Sequence, residues 1–378
     1  MEKHPIYLDY NATTPIDPRV KDAMLPYLEE HFGNPSTNYV YGQQAMQGVK
    51  KAREQLAFLI GAQADDIVFT SGGSEGDNQA IIGTAMAHSG RGKHIITSRI
   101  EHPAVLKTCR YLEERLGFSV TYLPVDGYGL VKPQDIEAAI TQGTVLITIM
   151  HANNEVGTVE PIAEIGDIAR RHKIIFHTDA AQSCGKIEVD VRRLNVDLLT
   201  LVGHKMYAPK GVGALFVRQG TVLDAYIHGA GQECGRRAGT ENVPYIAGLG
   251  KACEIARLEL LDYGTRIRDL RDRLYSRISS GLGERVRLNG HPEKRLPNTL
   301  DITIRGVIGE DLLARIPEIA ASTGAACHAG SMEPSSVLLE MGLSREDALG
   351  ALRLSLGRWS TREEVDVAGD LIVEKVLS

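Results

Sequence analysis

Four short apolar runs between residues 144 and 217 decide the fold: TVLITIM (144–150), KIIFHT (173–178), VDLLTLV (196–202) and VGALFV (212–217). Three similar runs precede them, DIVFT (66–70), KHIITS (93–98) and VTYLPV (120–125). Helical patterns alternate with these runs from about residue 50 to 220. This alternation predicts βαβ units, and therefore an α/β fold with a mostly parallel sheet sandwiched by helices.

The chain beyond this region predicts a second, smaller unit. A long amphipathic segment from about Asn242 to Ser280 has few helix breakers and predicts one long helix or two. Strand-like NTLDITIRG (298–306) and helix-like GEDLLARIP (309–317) and EEVDVAGDLIVEKVL (363–377) follow it. We therefore expect a large domain at residues 15–255 and a smaller α+β domain formed by residues 1–14 and 256–378.

Composition excludes several classes of function. The chain has 378 residues, 43% of them hydrophobic, and a formal net charge of -6, which leaves no basic excess for direct nucleic-acid binding. It contains no run of 18 apolar residues and no leader-like N-terminus, so we expect no membrane span and a cytoplasmic location. The five cysteines are odd in number and form no CxxC pair, which favours reduced thiols over disulfides or a metal site. Cys109 and Cys253 are expected to be inert.

Glycines follow the first apolar run, in SGGSEGDN (71–78). The carboxyl ends of strands in an open α/β sheet border the ligand crevice. Gly72 and Gly73 would let the backbone approach a ligand, and free amides at a helix start near Ser74 bind anions such as phosphate. Two glycines after a strand are also common in a simple tight turn.

Polar residues follow the later runs: His102, Asn154, Asp179, Gln182 and Lys205. Singly, each has an ordinary alternative as a helix cap, a turn residue or a solvated lysine. Together they match the needs of pyridoxal phosphate (PLP), because a lysine amine can form a Schiff base and a carboxylate can pair with the pyridinium nitrogen. A flat histidine ring could stack on the pyridine and move protons.

Eleven motifs then carry a resemblance to a known family, in this order: LDYNATTP, GNPS, FTSGGSEGDN, EHPAV, NNEVG, HTDAAQ, GHK, AGTEN, LPNT, GAAC and RLSLGR. The chain resembles the cysteine desulfurases and selenocysteine lyases, which are fold-type I PLP enzymes of the aminotransferase class V group. The resemblance spans nearly the whole chain and implies the aspartate aminotransferase-like fold.

The resemblance implies a role for each matching residue. Lys205 corresponds to the Schiff-base lysine, His102 to the ring-stacking acid/base, Asp179 to the partner of the pyridine nitrogen, and Gln182 to the ligand of the ring oxygen. Asn154 corresponds to a residue beside cofactor and substrate.

Other positions correspond to phosphate and substrate contacts. Gly73, Ser74 and His204 match phosphate ligands, and Thr240 matches a hydroxyl that reaches the phosphate of the neighbouring subunit, which implies a homodimer. Arg353 matches the arginine that grips the substrate carboxylate, a task suited to a planar bidentate guanidinium. A buried structural arginine paired with an acid is the alternative.

Cys327, in STGAACHAGSMEPSS (322–336), is implied to be the thiol that takes sulfur from L-cysteine as a persulfide. We therefore expect a PLP-dependent cysteine desulfurase that forms L-alanine and passes sulfur to an acceptor protein. Two alternatives remain: a selenocysteine lyase, and a non-catalytic scaffold of the same fold, against which the intact Lys205, Asp179 and His102 argue.

Some positions depart from the common desulfurase pattern. Val202 replaces a phosphate-binding serine, whose contact is lost or supplied by another group such as Thr200. Val202, Tyr39 and the GAACH sequence are more similar to selenocysteine lyases, whereas the spacing from Cys327 to Glu333 and Pro334 matches desulfurases. Cys234 replaces an arginine. The acceptor stays open among iron–sulfur assembly, tRNA thiolation, DNA phosphorothioation and selenium pathways.

Overall fold

A computed structural model describes residues 4–324, 326–328 and 331–378, without the side chains of 326–328, 331 and 332. Eleven α-helices lie in the described part of the chain. They are α1 (Pro18–Glu29), α2 (Val40–Ile60), α3 (Gly73–Ala87), α4 (Pro103–Leu116), α5 (Pro133–Ala139), α6 (Ile162–His172), α7 (Val243–Leu282), α8 (Gly309–Ala314), α9 (Ser336–Glu340), α10 (Arg345–Leu349) and α11 (Arg362–Leu377).

Fourteen strands accompany these helices over the same described residues. They are β1 (Ile6–Tyr7), β2 (Ile67–Thr70), β3 (His94–Ser98), β4 (Ser119–Leu123), β5 (Thr144–Thr148), β6 (Ile175–Asp179), β7 (Leu198–Val202), β8 (Gly213–Val217), β9 (Val286–Leu288), β10 (Thr299–Ile304), β11 (Ile319–Ala320), β12 (Ala326–His328), β13 (Ser331–Glu333) and β14 (Ala351–Ser355).

The seven apolar runs form one seven-stranded sheet in the order β2-β8-β7-β6-β5-β3-β4. Strands β7, β6, β5, β3 and β4 are parallel to one another, and β8 runs antiparallel to both of its neighbours, β2 and β7. The predicted α/β fold with a mostly parallel sheet is confirmed.

Helices cover the sheet on both faces, which explains why the strands are apolar along their whole length rather than alternating. Every residue of β3, β5, β7 and β8 is buried. The large core joins these strands to α2, α6 and the first half of α7. The strand ends therefore lie at one edge of a rigid scaffold.

The long segment after residue 242 forms a single 40-residue helix, α7. Its first half packs on α1 and α2, and its second half packs on α11. Where α7 meets α2, a Cβ at Gly250 would lie 2.5 Å from the Cα of Ala52, so only glycine permits this approach.

A second hydrophobic core lies around the antiparallel sheet β14-β10-β9. It combines Leu8 near the N-terminus with Tyr263, Ile267 and Leu274 of α7 and with residues of α11. Strand β1 pairs in parallel with β11, so the N-terminal segment is attached to the C-terminal part of the chain.

Among the helices of the described segments, none has both the length and the apolarity that a membrane span requires.

Candidate active site

A cavity of about 410 Å³ lies at the carboxyl ends of β5, β6 and β7. Residues from seven separated parts of the chain line it: Asn11, Ala12, Gly73, Ser74, Asp77, His102, Met150, Ala152, Asn154, Asp179, Ala181, Gln182, Val202, His204, Lys205 and Arg353. Nine of the residues predicted from the sequence are among them. Asn11 and Asp77 were not predicted.

Lys205 follows β7 and places its amine against the N-terminal segment. Its Nζ donates to the carbonyl oxygen of Ala12 at 2.6 Å and also to that of Asn11. Burial, and then the charge of the nearby Arg353 guanidinium, lower the pKa of Lys205 to about 8, although Asp9 and Asp179 oppose this shift. A lysine with such a pKa supplies neutral, nucleophilic amine near neutral pH.

Asp179 ends β6 and accepts a hydrogen bond from the backbone N–H of Ala181 at 2.9 Å. It therefore both caps the following turn and lines the cavity, so the two predicted roles coincide. Burial raises the pKa of Asp179. A second carboxylate, Asp77 of α3, lines the same cavity and is 1% exposed. Burial, and then the charge of Asp179, raise the pKa of Asp77 well above its ordinary value.

A buried polar chain lies beneath these two acids on three neighbouring strands. The ring of His177 is bonded through Nε2 to Thr200 Oγ1 at 3.0 Å and through Nδ1 to Thr148 Oγ1 at 2.8 Å. Burial lowers the pKa of His177 to about 3, so the ring is neutral. Thr200 is thus held below the cavity and does not line it, and our suggestion that it replaces the missing serine at Val202 is wrong.

His102 is the N-cap of α4, and its Nδ1 accepts a hydrogen bond from Ala104 N at 3.1 Å. The neutral ring therefore carries its proton on Nε2. Burial lowers the pKa of His102. The preceding Glu101 is buried, accepts from Met150 N and from Ser98 Oγ at 2.6 Å, and fixes the start of this loop.

The N-terminus of α3 supplies the anion-binding part of the cavity. Gly73 and Ser74 begin this helix, whose first N–H groups have no partner within the helix, and both line the cavity. His204 lies nearby, with its Nδ1 3.1 Å from Thr13 Oγ1. Burial lowers the pKa of His204 to about 4, so this ring is a neutral hydrogen-bonding group.

Arg353 of β14 enters the cavity from the second core and is 8% exposed. It donates to Asp9 Oδ1 at 2.8 Å and to the carbonyl oxygen of Asn154 at 3.2 Å. Its Nε has no hydrogen-bond partner among the described residues. The arginine is therefore paired with an acid, as the structural alternative expected, and it also lines the cavity.

Asn11 connects the cavity to both cores. Its backbone carbonyl accepts from Gln182 Nε2 at 2.9 Å as well as from Lys205, and its side-chain oxygen accepts from Asn298 Nδ2 at 2.9 Å. A further donor to that oxygen is the buried Lys186. Two features of the sequence could have pointed to these residues. Asn11 lies in the motif LDYNATTP, and Lys186 follows Gln182 by four residues.

Thr240 does not reach the cavity of its own chain. It is exposed and lines a separate pocket of about 140 Å³ with Ser71, Glu233 and Arg237. Cys234 is also exposed, in a turn where it has a φ of 56°. The other described cysteines, at 109, 184 and 253, are buried.

Cys327 has its backbone in β12, which pairs with β13, but its side chain lies outside the described residues. The segment that carries it is bounded by described groups. Ser335, the N-cap of α9, donates to Glu155 Oε2. Gly324 has a φ of 68°, and a Cβ atom built at this position would lie 2.8 Å from Oε2 of the same carboxylate.

The residues present fit PLP. A lysine amine, a buried carboxylate and a neutral imidazole border one cavity with an anion-binding helix start, and Asp77 Oδ1 has no hydrogen-bond partner among the described groups. A ligand with a cationic group at one end, facing the carboxylates, and an anionic group at the other, facing the helix start, would complete these contacts.

Comparisons with known proteins agree with this arrangement. The family model "Aminotransferase class-V" matches residues 6–367. A "Cysteine desulfurase IscS" of Methanosarcina thermophila is 49% identical, over 99% of this chain and 93% of its own. A solved "NIFS-LIKE PROTEIN" superposes with a TM-score of 0.92 at 37% identity, covering 99% of both chains. "SspA in complex with cysteine" gives a TM-score of 0.83 at 40% identity, over 94% of this chain and 99% of the other.

Proposed function

The chain belongs to the aminotransferase class V family and is a PLP-dependent cysteine desulfurase, and on that premise we propose which residues perform each part of the reaction. The observation that carries the assignment is the cavity in which Lys205, Asp179, His102 and Arg353 meet. The comparisons name cysteine desulfurases, and none of them favours the alternatives, a selenocysteine lyase or a non-catalytic scaffold.

Lys205 is the residue that links covalently to PLP. Gly73, Ser74 and His204 would hold its phosphate, Asp179 its ring nitrogen, and Gln182 its ring oxygen, while Asn154 lies beside it. When bound, PLP supplies an electron sink for the α-carbon of an amino acid. The lowered pKa of Lys205, about 8, favours the neutral amine that this linkage requires.

Arg353 binds the α-carboxylate of L-cysteine. Asp9 and the Asn154 carbonyl hold the guanidinium in place at the wall of the cavity. His102 would stack on the ring of PLP and would move protons through Nε2, since Nδ1 accepts from Ala104 N. These contacts orient the substrate relative to Lys205.

Cys327 takes the sulfur. Its thiolate attacks the Sγ atom of the bound L-cysteine, the bond from Cβ to Sγ breaks, and the remaining three-carbon unit takes up a proton to leave as L-alanine. The enzyme is left with a persulfide, which an acceptor protein then receives. This role comes from the motif around Cys327 and from the named relatives.

The active form is a homodimer in which Thr240 reaches the phosphate of the other subunit. Thr240 is exposed and remote from its own cavity. Large exposed apolar side chains in the last turn of α1 and in the connection to α2, at Leu28, Phe32 and Tyr39, support an interface there. A cytoplasmic location, and a division into a domain at 15–255 and another at 1–14 and 256–378, complete the proposal.

Mass spectrometry after incubation with L-cysteine tests the central step. We expect one additional sulfur atom on the peptide that contains Cys327. Cys327→Ser should keep bound PLP and lose nearly all alanine formation, because a hydroxyl is far less nucleophilic than a thiolate. Cys234→Ser, at the one exposed thiol among the described side chains, is the matched control and should retain both. Full alanine formation by Cys327→Ser would refute the mechanism.

A further inference from the structure

Lys186 is a lysine that the reaction described above does not use. It follows β6 by seven residues, is 4% exposed, and lies outside the lining of the cavity. Burial lowers its pKa well below the ordinary value, and the charges of Lys205 and Arg353 act in the same direction. No carboxylate of the described chain forms an ion pair with it. A buried amine of this kind is costly unless its hydrogen bonds are satisfied.

Two hydrogen bonds satisfy this amine. Its Nζ donates to Gln182 Oε1 at 2.7 Å and to Asn11 Oδ1 at 3.2 Å. A neutral amine has two N–H groups, so these two acceptors account for all of its donors. Both acceptors belong to residues that line the cavity.

The bond to Gln182 fixes which end of its amide faces the ligand. Because Oε1 is occupied by Lys186, the amide must present Nε2, which donates one hydrogen to the carbonyl of Asn11 at 2.9 Å. Its second hydrogen remains for a ligand oxygen. Without Lys186, the amide could rotate and present an oxygen to the same ligand atom.

Asn11 links the same lysine to Lys205. The carbonyl oxygen of Asn11 accepts from Lys205 Nζ, while its side chain is held by Lys186 and Asn298. We infer that Lys186 is a positioning residue that orients the Gln182 amide as a donor toward PLP and holds the Asn11 carbonyl against the Lys205 amine. This inference rests on the proposed function.

A double-mutant cycle tests the inference by PLP binding to the full chain stripped of cofactor. Lys186→Met keeps an unbranched side chain as far as the ε position and removes the amine with both of its donors. The Kd for PLP should therefore rise at least tenfold. In a Gln182→Met background the same change should raise Kd less than threefold, because the amide it orients is gone. Lys50→Met, at an exposed lysine of α2, is the control and should leave Kd unchanged.

Equal effects of Lys186→Met in both backgrounds, or an unchanged Kd in the wild-type background, would overturn the inference. If Lys186→Met does not fold, Lys186→Gln, which retains an amide donor, carries the same comparison with an intermediate effect expected. If the chain were not a PLP enzyme at all, the wild-type chain would bind no PLP, whereas failure of this inference alone leaves wild-type binding intact.

Discussion

Arg353 is the residue at which substrate binding and structure meet. Arg353→Ala should leave PLP bound but remove a charge-assisted pair with the substrate carboxylate, at a cost of about 2–5 kcal/mol in kcat/KM for L-cysteine. Arg353→Lys should recover part of this loss, because a point charge cannot reproduce the bidentate fork. Kinetics and Tm are measured for each variant. Normal kcat/KM with a collapsed Tm would assign Arg353 a structural role alone.

Glu101 offers a test of the buried charges near the cavity. Burial raises its pKa from 4.5 to about 8, so the folded protein binds a proton that the unfolded chain has lost. Its contribution to the free energy of unfolding is therefore present below pH 4.5 and decreases as the pH rises to about 8. Glu101→Gln, which stays neutral, should gain stability relative to wild type over this interval, on the order of 4 kcal/mol.

Urea unfolding of both proteins at pH 5 and pH 8 measures the difference. The exposed Glu114→Gln change on α4 is the control and should follow wild type at both values. If Glu101→Gln and wild type differ by the same amount at pH 5 and pH 8, Glu101 is ionised in the folded protein and the assigned direction is wrong.

Single residues also mark the limit of prediction from the sequence. Lys205, Asp179 and His102 were found because each follows an apolar run that forms a strand. Asn11 and Asp77 were missed because their roles depend on contacts between distant parts of the chain, such as Asn11 with Asn298. Periodicity does not indicate such contacts, and a motif such as LDYNATTP does not say which distant residues Asn11 will contact.

At the scale of elements, the packing of α7 on α2 depends on glycine. Gly250→Ala should improve helix propensity but force a Cβ to within 2.5 Å of the Ala52 Cα, so we expect a net loss of about 1–3 kcal/mol. Gly264→Ala in the same helix meets only the Lys186 carbonyl oxygen, at 4.0 Å, and should gain up to about 1 kcal/mol. Urea midpoints compare the two. A stabilising Gly250→Ala would show that the helices can separate without cost.

The elements themselves were largely predictable. All seven apolar runs became strands of one sheet, because helices cover both faces of the sheet and most strand positions are buried. The antiparallel direction of β8 could not be predicted, since a short connection after β7 is compatible with several arrangements. The segment from 242 to 280 left one or two helices open, and the structure has one.

At the scale of the whole molecule, two hydrophobic cores meet at the cavity. Lys205, Asp179 and His102 are attached to the larger core, while Arg353 lies on the sheet of the smaller one. Asn11 bridges them through its contacts to Lys186, Asn298 and Ser355. The relative position of the two cores therefore sets the distance between the lysine and the arginine.

The dimer proposal makes a prediction that neither subunit alone can satisfy. If Thr240 completes the site of the other subunit, a hybrid of one Lys205→Ala chain and one Thr240→Ala chain contains one intact site, since the first chain supplies Thr240 to the Lys205 of the second. Differently tagged chains allow the hybrid to be purified, and its tight PLP binding should approach half that of the wild-type dimer.

The Lys205→Ala homodimer should lack the borohydride-reducible linkage, and the Thr240→Ala homodimer should bind PLP more weakly because a phosphate contact is lost from both sites. A hybrid that binds no more tightly than the Thr240→Ala homodimer would place Thr240 in its own subunit's site. A particle of one chain mass, 41.2 kDa, in light scattering would exclude the dimer altogether.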